Sequence, residues 1–357
     1  MKRGNRLNHL RTYIAALLAL VMVLALAGCS KNGGDAGGTG GEEPFSKDIF
    51  AMDTYMTLSA YGDAKEDAVN AAIKEINRLD ALLSTGKDTS EVSKLNKNGG
   101  GDLSEDTNVL MAEALKLYGD TDHLFDITIY PVMELWGFTS GEFRVPTDAE
   151  LAKALTLVDA GEVRYDANTR HVSYQKDGMA IDFGGLAKGY TSAKVAELYK
   201  EMGVTSGLVN LGGNVQAVGY KPDGTDWRIG IQHPADAEQL LGVVKTHDAA
   251  VITSGGYERY FEEDGVTYHH IIDPATGHPA DSGLISVTIV SADGMLADGL
   301  STSLFIMGKD RAAAFWQKHK NEFQFVLCEK DGTLIVSDGL KDTFTPSDEN
   351  AKVEYVS

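Results

Sequence analysis

Asp298, Ser301 and Thr302 stand at i, i+3 and i+4 in a stretch of helical spacing that runs from Met295 to Met307. A carboxylate and hydroxyls therefore share one face of one turn. Oxygen ligands of this kind suit a hard cation. Mg²⁺ takes one or two protein carboxylates and completes its octahedron with carbonyls, water and substrate phosphate. A plain polar helix face, with a hydroxyl bonded back to the chain, has the same spacing. Upstream, Tyr268-His269-His270-Ile271-Ile272-Asp273-Pro274 sets two histidines side by side before an Asp-Pro turn. On a strand their side chains alternate, so at most one faces a given site. An imidazole titrates near neutral pH and can serve as a general base. The blander reading is a strand entering a tight turn. No third His, Cys or Glu stands at zinc-ligand spacing.

Three glycine pairs end apolar strands. Asp182-Phe183-Gly184-Gly185-Leu186-Ala187-Lys188-Gly189 joins a short strand to a helix, and Lys188 adds a positive charge in the first turn. Backbone N–H groups at such a junction can meet a phosphate, helped by the helix dipole. The pattern is neither G-x-G-x-x-G nor a Walker loop. Asn210-Leu211-Gly212-Gly213-Asn214 and Thr253-Ser254-Gly255-Gly256 are the other two pairs. Each alone reads as turn chemistry; three together suggest backbone crowding round one extended ligand.

The elements that must position these residues are legible in part. Lys65–Leu83 has apolar residues at helical spacing, a second helix follows Ser104, and Ala187–Met202 is a third, stopped by Gly203. Met52–Tyr61 reads as a strand. Further strands are expected at 208–211, 215–219, 227–232, 241–246 and 284–290. Phe323–Cys328 and Thr333–Val336 form a hairpin round Lys330-Asp331-Gly332. Strands and helices are mixed without steady alternation, which predicts an α+β fold with largely antiparallel sheet and packed helices.

The first residues are not fold. Lys2, Arg3, Arg6 and Arg11 precede 14 unbroken apolar residues, Ile14–Ala27. That run is shorter than the roughly 20 residues a spanning helix needs. Leu26-Ala27-Gly28-Cys29 follows, so residues 1–28 read as a secretory signal, and Cys29 stands where bacterial lipoproteins receive their lipid. Ser30–Pro44 holds six glycines and reads as a flexible tether from 29 to 44. Residues 45–357 then form one body. The expected location is the extracytoplasmic face of the cell membrane, held by the lipid anchor.

Composition narrows the partners. The chain has 32 Lys plus Arg against 52 Asp plus Glu, for a formal charge of −20. Such a chain is a poor match for nucleic acid, because neutralising phosphates takes surplus Lys and Arg. Two cysteines, Cys29 and Cys328, exclude a disulfide framework and a Cys-based zinc site. Cys328 lies in the apolar run after Phe323 and is expected to be an inert buried thiol.

Taken in order, these stretches resemble the ApbE family, the FAD:protein FMN transferases. The matching pieces are Ala51-Met52-Asp53-Thr54, Ser90-Glu91-Val92-Ser93-Lys94-Leu95-Asn96, and Phe125-Asp126-Ile127-Thr128 with Pro131 and Leu135-Trp136-Gly137-Phe138. Asp182–Tyr190, Asn210–Asn214, Thr253-Ser254-Gly255, His270–Pro274 with Thr276-Gly277, and Ala297-Asp298 with Ser301-Thr302 complete the series. The resemblance implies an ApbE-like, T-fold-related fold, FAD as substrate and Mg²⁺ as the required ion. It implies transfer of FMN to a Ser or Thr hydroxyl of an acceptor flavoprotein, with AMP leaving.

By the same resemblance, Met52 and Leu124-Phe125-Asp126 would line the FAD site, with Asp182, Lys188 and Ile272 also in contact. The Gly185 carbonyl, Asp298 and Thr302 would hold Mg²⁺, with Ser301 adjacent. His270 would be the base for the acceptor hydroxyl. Two positions depart from the family pattern: Gly86 stands where many relatives carry an aromatic residue, and Asp53 precedes Thr54 where Gly is usual. Negative charge developing on the diphosphate would be opposed by the cation and the glycine N–H groups. Two other readings share this site. One is a Mg²⁺-dependent FAD pyrophosphatase that gives FMN and AMP. The other is a non-catalytic flavin-binding lipoprotein, which would need the glycine turns but not Asp298 with Thr302, nor a base.

Overall fold

In a computed structural model that describes residues 42–357, the helical spacing after Asp63 becomes α1 (Lys65–Leu83), with the expected ends. Its buried stripe of Ala68, Val69, Ala72, Ile76, Leu79 and Leu83 is the apolar face the sequence shows, each large residue worth about 1.5–3 kcal/mol on burial. The signal segment, Cys29 and the tether up to Gly41 lie outside the described residues.

The strand expected from Met52 is instead the second half of a hairpin. β1 (Phe45–Ala51) and β2 (Thr54–Ala60) pair in antiparallel register from Phe45↔Ala60 to Ala51↔Thr54. Met52 and Asp53 make the two-residue turn, with φ of 47° and 57°. Such a turn favours Asn-Gly, because both central residues need positive φ; neither Met nor Asp signals it. α2 (Glu91–Asn98) is capped by Ser90, whose hydroxyl accepts from the Ser93 N–H. It is followed by β3 (Gly100–Asp102) and α3 (Glu105–Asp120). α4 (Tyr130–Trp136) and α5 (Asp148–Leu155) come next, then β4 (Val163–Asp166) and β5 (His171–Tyr174).

α6 (Gly184–Glu201) starts at the glycine pair rather than at Ala187. β6 (Ser206–Leu211) and β7 (Asn214–Gly219) turn at Gly212-Gly213. β8 (Trp227–His233), β9 (Asp236–Thr246) and β10 (Ala250–Gly255) follow. A short hairpin, β11 (Tyr260–Glu263) with β12 (Val266–His269), belongs to no larger sheet. β13 (Leu284–Ser291) leads into α7 (Gly294–Met307) and α8 (Lys309–His319). β14 (Gln324–Glu329), β15 (Leu334–Ser337), β16 (Phe344–Pro346) and β17 (Val353–Val356) end the chain.

One sheet of nine strands runs β1-β2-β6-β7-β10-β13-β14-β15-β17. Every neighbouring pair is antiparallel except β15 with β17. Alternation along its central strands fills two cores. Ala250, Ile252, Val287, Ile289, Phe325 and Leu327 face α3, α6, α7 and α8. Val251, Val290, Val326 and Cys328 face the small sheet β16-β9-β8, meeting Trp227, Ile229, Val244 and Phe344. Burial pushes the Cys328 thiol up to about 11, as suits an inert core residue. The α+β fold with largely antiparallel sheet holds.

Candidate active site

The register brings three turns to one end of the sheet. Met56 pairs with Leu211, Leu211 with Asn214, and Asn214 with Ile252. The β1–β2 turn, the β6–β7 turn and the end of β10 are therefore neighbours. The expected crowding at the glycines is real, but protein atoms cause it. A Cβ on Gly212 would fall 2.1 Å from Thr54 Oγ1, one on Gly256 2.8 Å from the His269 ring, and one on Gly185 2.9 Å from Phe125. Close packing against neighbouring side chains accounts for the glycine at each of these three positions.

The start of α6 is held from two sides. Asn96 on α2 accepts from the Ile181 N–H and donates to the Ile181 carbonyl, both at 2.8 Å. The Asp182 N–H donates to the Ile127 carbonyl at 2.9 Å. Asp182 is half-buried and accepts the Gly184 N–H at 2.8 Å. Burial raises its pKa and Asp53 adds to the rise, while the Gly184 N–H and Arg259 oppose it. The first turn of α6 thus presents N–H groups and the positive end of a helix dipole, with Lys188 half-buried just behind.

α6 and α7 touch at glycines. A Cβ on Gly189 would sit 2.2 Å from the Gly294 carbonyl oxygen and 2.6 Å from Asp298 Cβ. That approach lets the Gly189 N–H donate to Asp298 Oδ2 at 2.7 Å. Asp298 is 5% exposed. Burial pushes its carboxyl up to about 6, against the pull of Lys188 and the nearby N–H groups. Ser301, fully buried, donates to the Asp298 carbonyl at 2.7 Å and meets Ser254 Oγ at 2.7 Å. Ser301 therefore props the helix turn, while Thr302 beside it is half-buried.

His269 and His270 do part company. His269 packs edge-on to Phe305 with ring centroids 5.5 Å apart, and its Nε2 meets the Ala280 carbonyl at 3.2 Å. His270 instead faces Phe138 and the Arg259 backbone. The Arg259 carbonyl accepts the His270 N–H at 3.1 Å and lies 3.2 Å from Nδ1. A proton on Nδ1 satisfies that contact and leaves Nε2 free to accept. Burial first, then the Arg259 and Lys188 cations, push the imidazole down to about 3, so it is neutral.

Two residues of the cluster gave little sign in the sequence. Arg259 reaches the Phe138 carbonyl at 2.5 Å and lends charge to Asp182 and His270. Glu258 is exposed as a residue, yet burial of its carboxyl raises its pKa and Asp298 adds to the rise, with Lys188 and Arg259 opposing. The only signal for either residue is its place within three positions of Gly255-Gly256.

The other expected residues sit as follows. Met52 is half-buried, its N–H donating to Asp80 Oδ1 at 3.1 Å. Leu124 is half-buried, and Phe125 is buried against Gly185. Asp126 turns inward: it accepts from the Thr128 N–H and hydroxyl and from the Ala160 N–H. Its carboxylate thereby ties the loop together beside Phe125. Ile272 is 5% exposed and packs with Trp136 and Leu151.

The donor set suits Mg²⁺. A buried carboxylate, a hydroxyl and a backbone carbonyl are hard oxygen ligands, and a cation would offset the burial that holds Asp298 high. No group of three His, Cys, Asp or Glu among the described residues could hold a metal. Remaining ligands would thus come from carbonyl, hydroxyl, water or substrate oxygens.

Residues 52–327 match the model of the ApbE family. A Vibrio cholerae protein named FAD:protein FMN transferase is 32% identical over 325 residues, covering 88% of this chain and 94% of that protein. A Klebsiella pneumoniae protein of the same name is 33% identical over 313 residues, covering 87% and 96%. The crystal structure of the ApbE protein from Thermotoga maritima superposes with a TM-score of 0.79 at 32% identity, covering 84% of this chain and 98% of that one. The flavin transferase ApbE from Vibrio cholerae gives 0.76 at 27% identity, covering 85% and 99%.

Proposed function

Because the chain belongs to the ApbE family, we propose that it transfers the FMN half of FAD to a Ser or Thr hydroxyl of an acceptor flavoprotein. The observation that carries this reading is the meeting of Lys188, Arg259, neutral His270 and buried Asp298 at the start of α6. The acceptor oxygen attacks the FMN phosphorus and forms a phosphoester. The P–O bond to the AMP phosphate breaks, and AMP leaves. His270 Nε2 takes the hydroxyl proton. Lys188, Arg259 and the N–H groups of α6 hold the diphosphate and oppose its growing charge. Asp298, Thr302 and the Gly185 carbonyl would hold Mg²⁺, which when bound neutralises phosphate charge. No protein nucleophile is required. Met52 and Leu124 would flank the flavin nucleotide. Cys29 would carry the lipid that keeps the protein on the extracytoplasmic face of the membrane.

Incubation with FAD, Mg²⁺ and a candidate acceptor tests the reading. Covalent flavin on the acceptor in a denaturing gel, with AMP released in equal amount, supports it. Fast AMP release with the acceptor withheld would replace it with the pyrophosphatase.

A further inference from the structure

The short hairpin of β11 and β12 grows directly out of the site. Its first strand follows Arg259, and its second ends at His269, one residue before His270. At the root the Arg259 carbonyl accepts the His270 N–H at 3.1 Å. At the tip Asp264 and Gly265 make a two-residue turn with φ of 52° and 79°, which suits the right-handed twist of a tight hairpin. One face is held to the body. Phe261 stacks on Tyr268 at 5.3 Å and on Phe143 at 5.2 Å, and Tyr268 lies 5.3 Å from Trp136. The hairpin is therefore a built projection. Yet residues 262–267 are all exposed, and β11 and β12 pair with no other strand among the described residues. Unpaired strand edges are ready templates for another chain.

The exposed side chains say what kind of chain. Tyr260, Val266 and the neighbouring Phe143 are 48%, 50% and 45% exposed. Large apolar side chains left in water round one element mark a contact surface. Beside them stand Glu262, Glu263 and Asp264, none with an ion-pair partner among the described residues. Three free carboxylates repel the diphosphate of FAD, an anionic lipid surface, and a second copy of a chain whose formal charge is −20. They attract Lys or Arg. The site's own cations, Lys188 and Arg259, act on His270 at the root instead. Charge thus sorts two substrates, phosphate to the root and a basic segment to the tip. We propose that the β11–β12 hairpin docks the acceptor flavoprotein, which lays an extended segment along it with the target hydroxyl at His270 and a Lys or Arg at Glu262–Asp264. This rests on the proposed transfer to a protein hydroxyl. The tip pair Glu263↔Val266 is four residues along the strands from Arg259 and His270, about 13 Å at roughly 3.3 Å per residue. The basic side chain therefore stands about four residues from the target Ser or Thr.

Two dye-labelled peptides of about 13 residues serve as probes. Each has one central Thr in a neutral background; one carries Lys and the other Glu about four residues to either side. Binding to the purified protein, with FAD and Mg²⁺ present, is followed by fluorescence anisotropy. Wild type should bind the Lys peptide on the order of tenfold more tightly, and the preference should fade at about 1 M salt, where the screening length is about 3 Å. Glu262→Lys with Glu263→Lys and Asp264→Asn should reverse the preference, with melting temperature and FAD affinity unchanged; Asn tolerates the left-handed turn position. Should that variant fail to fold, Glu262→Gln with Glu263→Gln should abolish the preference without adding charge. Equal binding of the two peptides by wild type, or a preference that survives the charge changes, overturns the docking role. So does a dimer in sedimentation that the same changes dissociate, since the hairpin then serves a second copy. Covalent flavin on an acceptor, with no peptide preference, removes the docking role alone. A Lys preference with AMP released and no covalent flavin on any acceptor removes the transferase reading, and docking of an acceptor with it.

Discussion

The Gly189 N–H donates to Asp298 Oδ2 at 2.7 Å, joining residues 109 positions apart. The bond exists because nothing larger than hydrogen occupies the Gly189 side-chain position. One contact therefore sets both the distance between α6 and α7 and the place of the buried carboxylate.

Gly189→Ala should break both at once. The new Cβ would fall 2.2 Å from the Gly294 carbonyl oxygen, which is backbone and cannot swing aside. Overpacking of this kind costs about 1–3 kcal/mol. A denaturant melt should show that loss, and Mg²⁺ affinity should fall with it. Unchanged stability would mean the helices are free to part.

Asp298→Asn keeps the shape and removes the charge. Transfer should drop by orders of magnitude, and excess Mg²⁺ should recover only part of it. Initial rates over a Mg²⁺ titration decide; a normal rate at low Mg²⁺ removes Asp298 from the cation site.

The same carboxyl makes stability depend on pH. Its folded pKa is about 6, against roughly 3.9 for an unfolded aspartate. Between those values the folded state holds a proton that the unfolded state has lost. Its contribution is therefore full below about pH 4 and is lost as pH rises through about 6. Melting temperatures from pH 4 to 8 should carry this downward term in the wild type and lack it in Asp298→Asn. Saturating Mg²⁺, by binding the folded state alone, should oppose the term above pH 6. Parallel curves for the two proteins would contradict the raised pKa.

Much of this frame could be read from residue order. α1 has its predicted ends, because a long apolar stripe leaves one periodicity. Asp298, Ser301 and Thr302 do share a turn of α7, and the two histidines do diverge. What stayed hidden depends on tertiary contacts. The Met52-Asp53 turn has two left-handed residues without a glycine; Asp80 holds it from α1. α8 leaves no periodic signal, because its buried residues, Ala312 and Trp316, are too few to mark a face. That Asp126 caps the loop at Thr128 and Ala160 is likewise a tertiary matter, since Ala160 lies 34 residues on. Arg259 belongs to the site only because β11 starts where β12 ends, a pairing no local pattern states.

Cys29 lies outside the described residues, and its lipidation is a proposal from the leader alone. Cys29→Ala should move the protein from the membrane fraction to the soluble one. A single acyl chain anchors only marginally and two hold firmly, so the shift should be nearly complete. A variant that still sediments with membranes would point to the apolar segment Ile14–Ala27 as the anchor.

His270 and His269 should separate by which property each one controls. Sequence order alone makes the His269→Ala change look mild, but the ring fills space above Gly256 and packs on Phe305. Truncating it should lower the melting temperature while the transfer rate per folded molecule holds. His270 has the opposite profile. Its Nδ1 is held by the Arg259 carbonyl, so Nε2 is the atom that can accept a proton. Burial first, then the Arg259 and Lys188 cations, keep the imidazole well below its usual range in the free protein. A bound diphosphate would offset those cations and raise its basicity towards the range where a base works best. His270→Ala should therefore cut transfer by about 10²–10⁴-fold, with FAD affinity and melting temperature near the wild type. Transfer rate, FAD affinity by flavin fluorescence and melting temperature, measured on both variants, decide the matter. Equal rate losses in the two, or a loss at His270 that tracks only with unfolding, would remove His270 from the proton transfer.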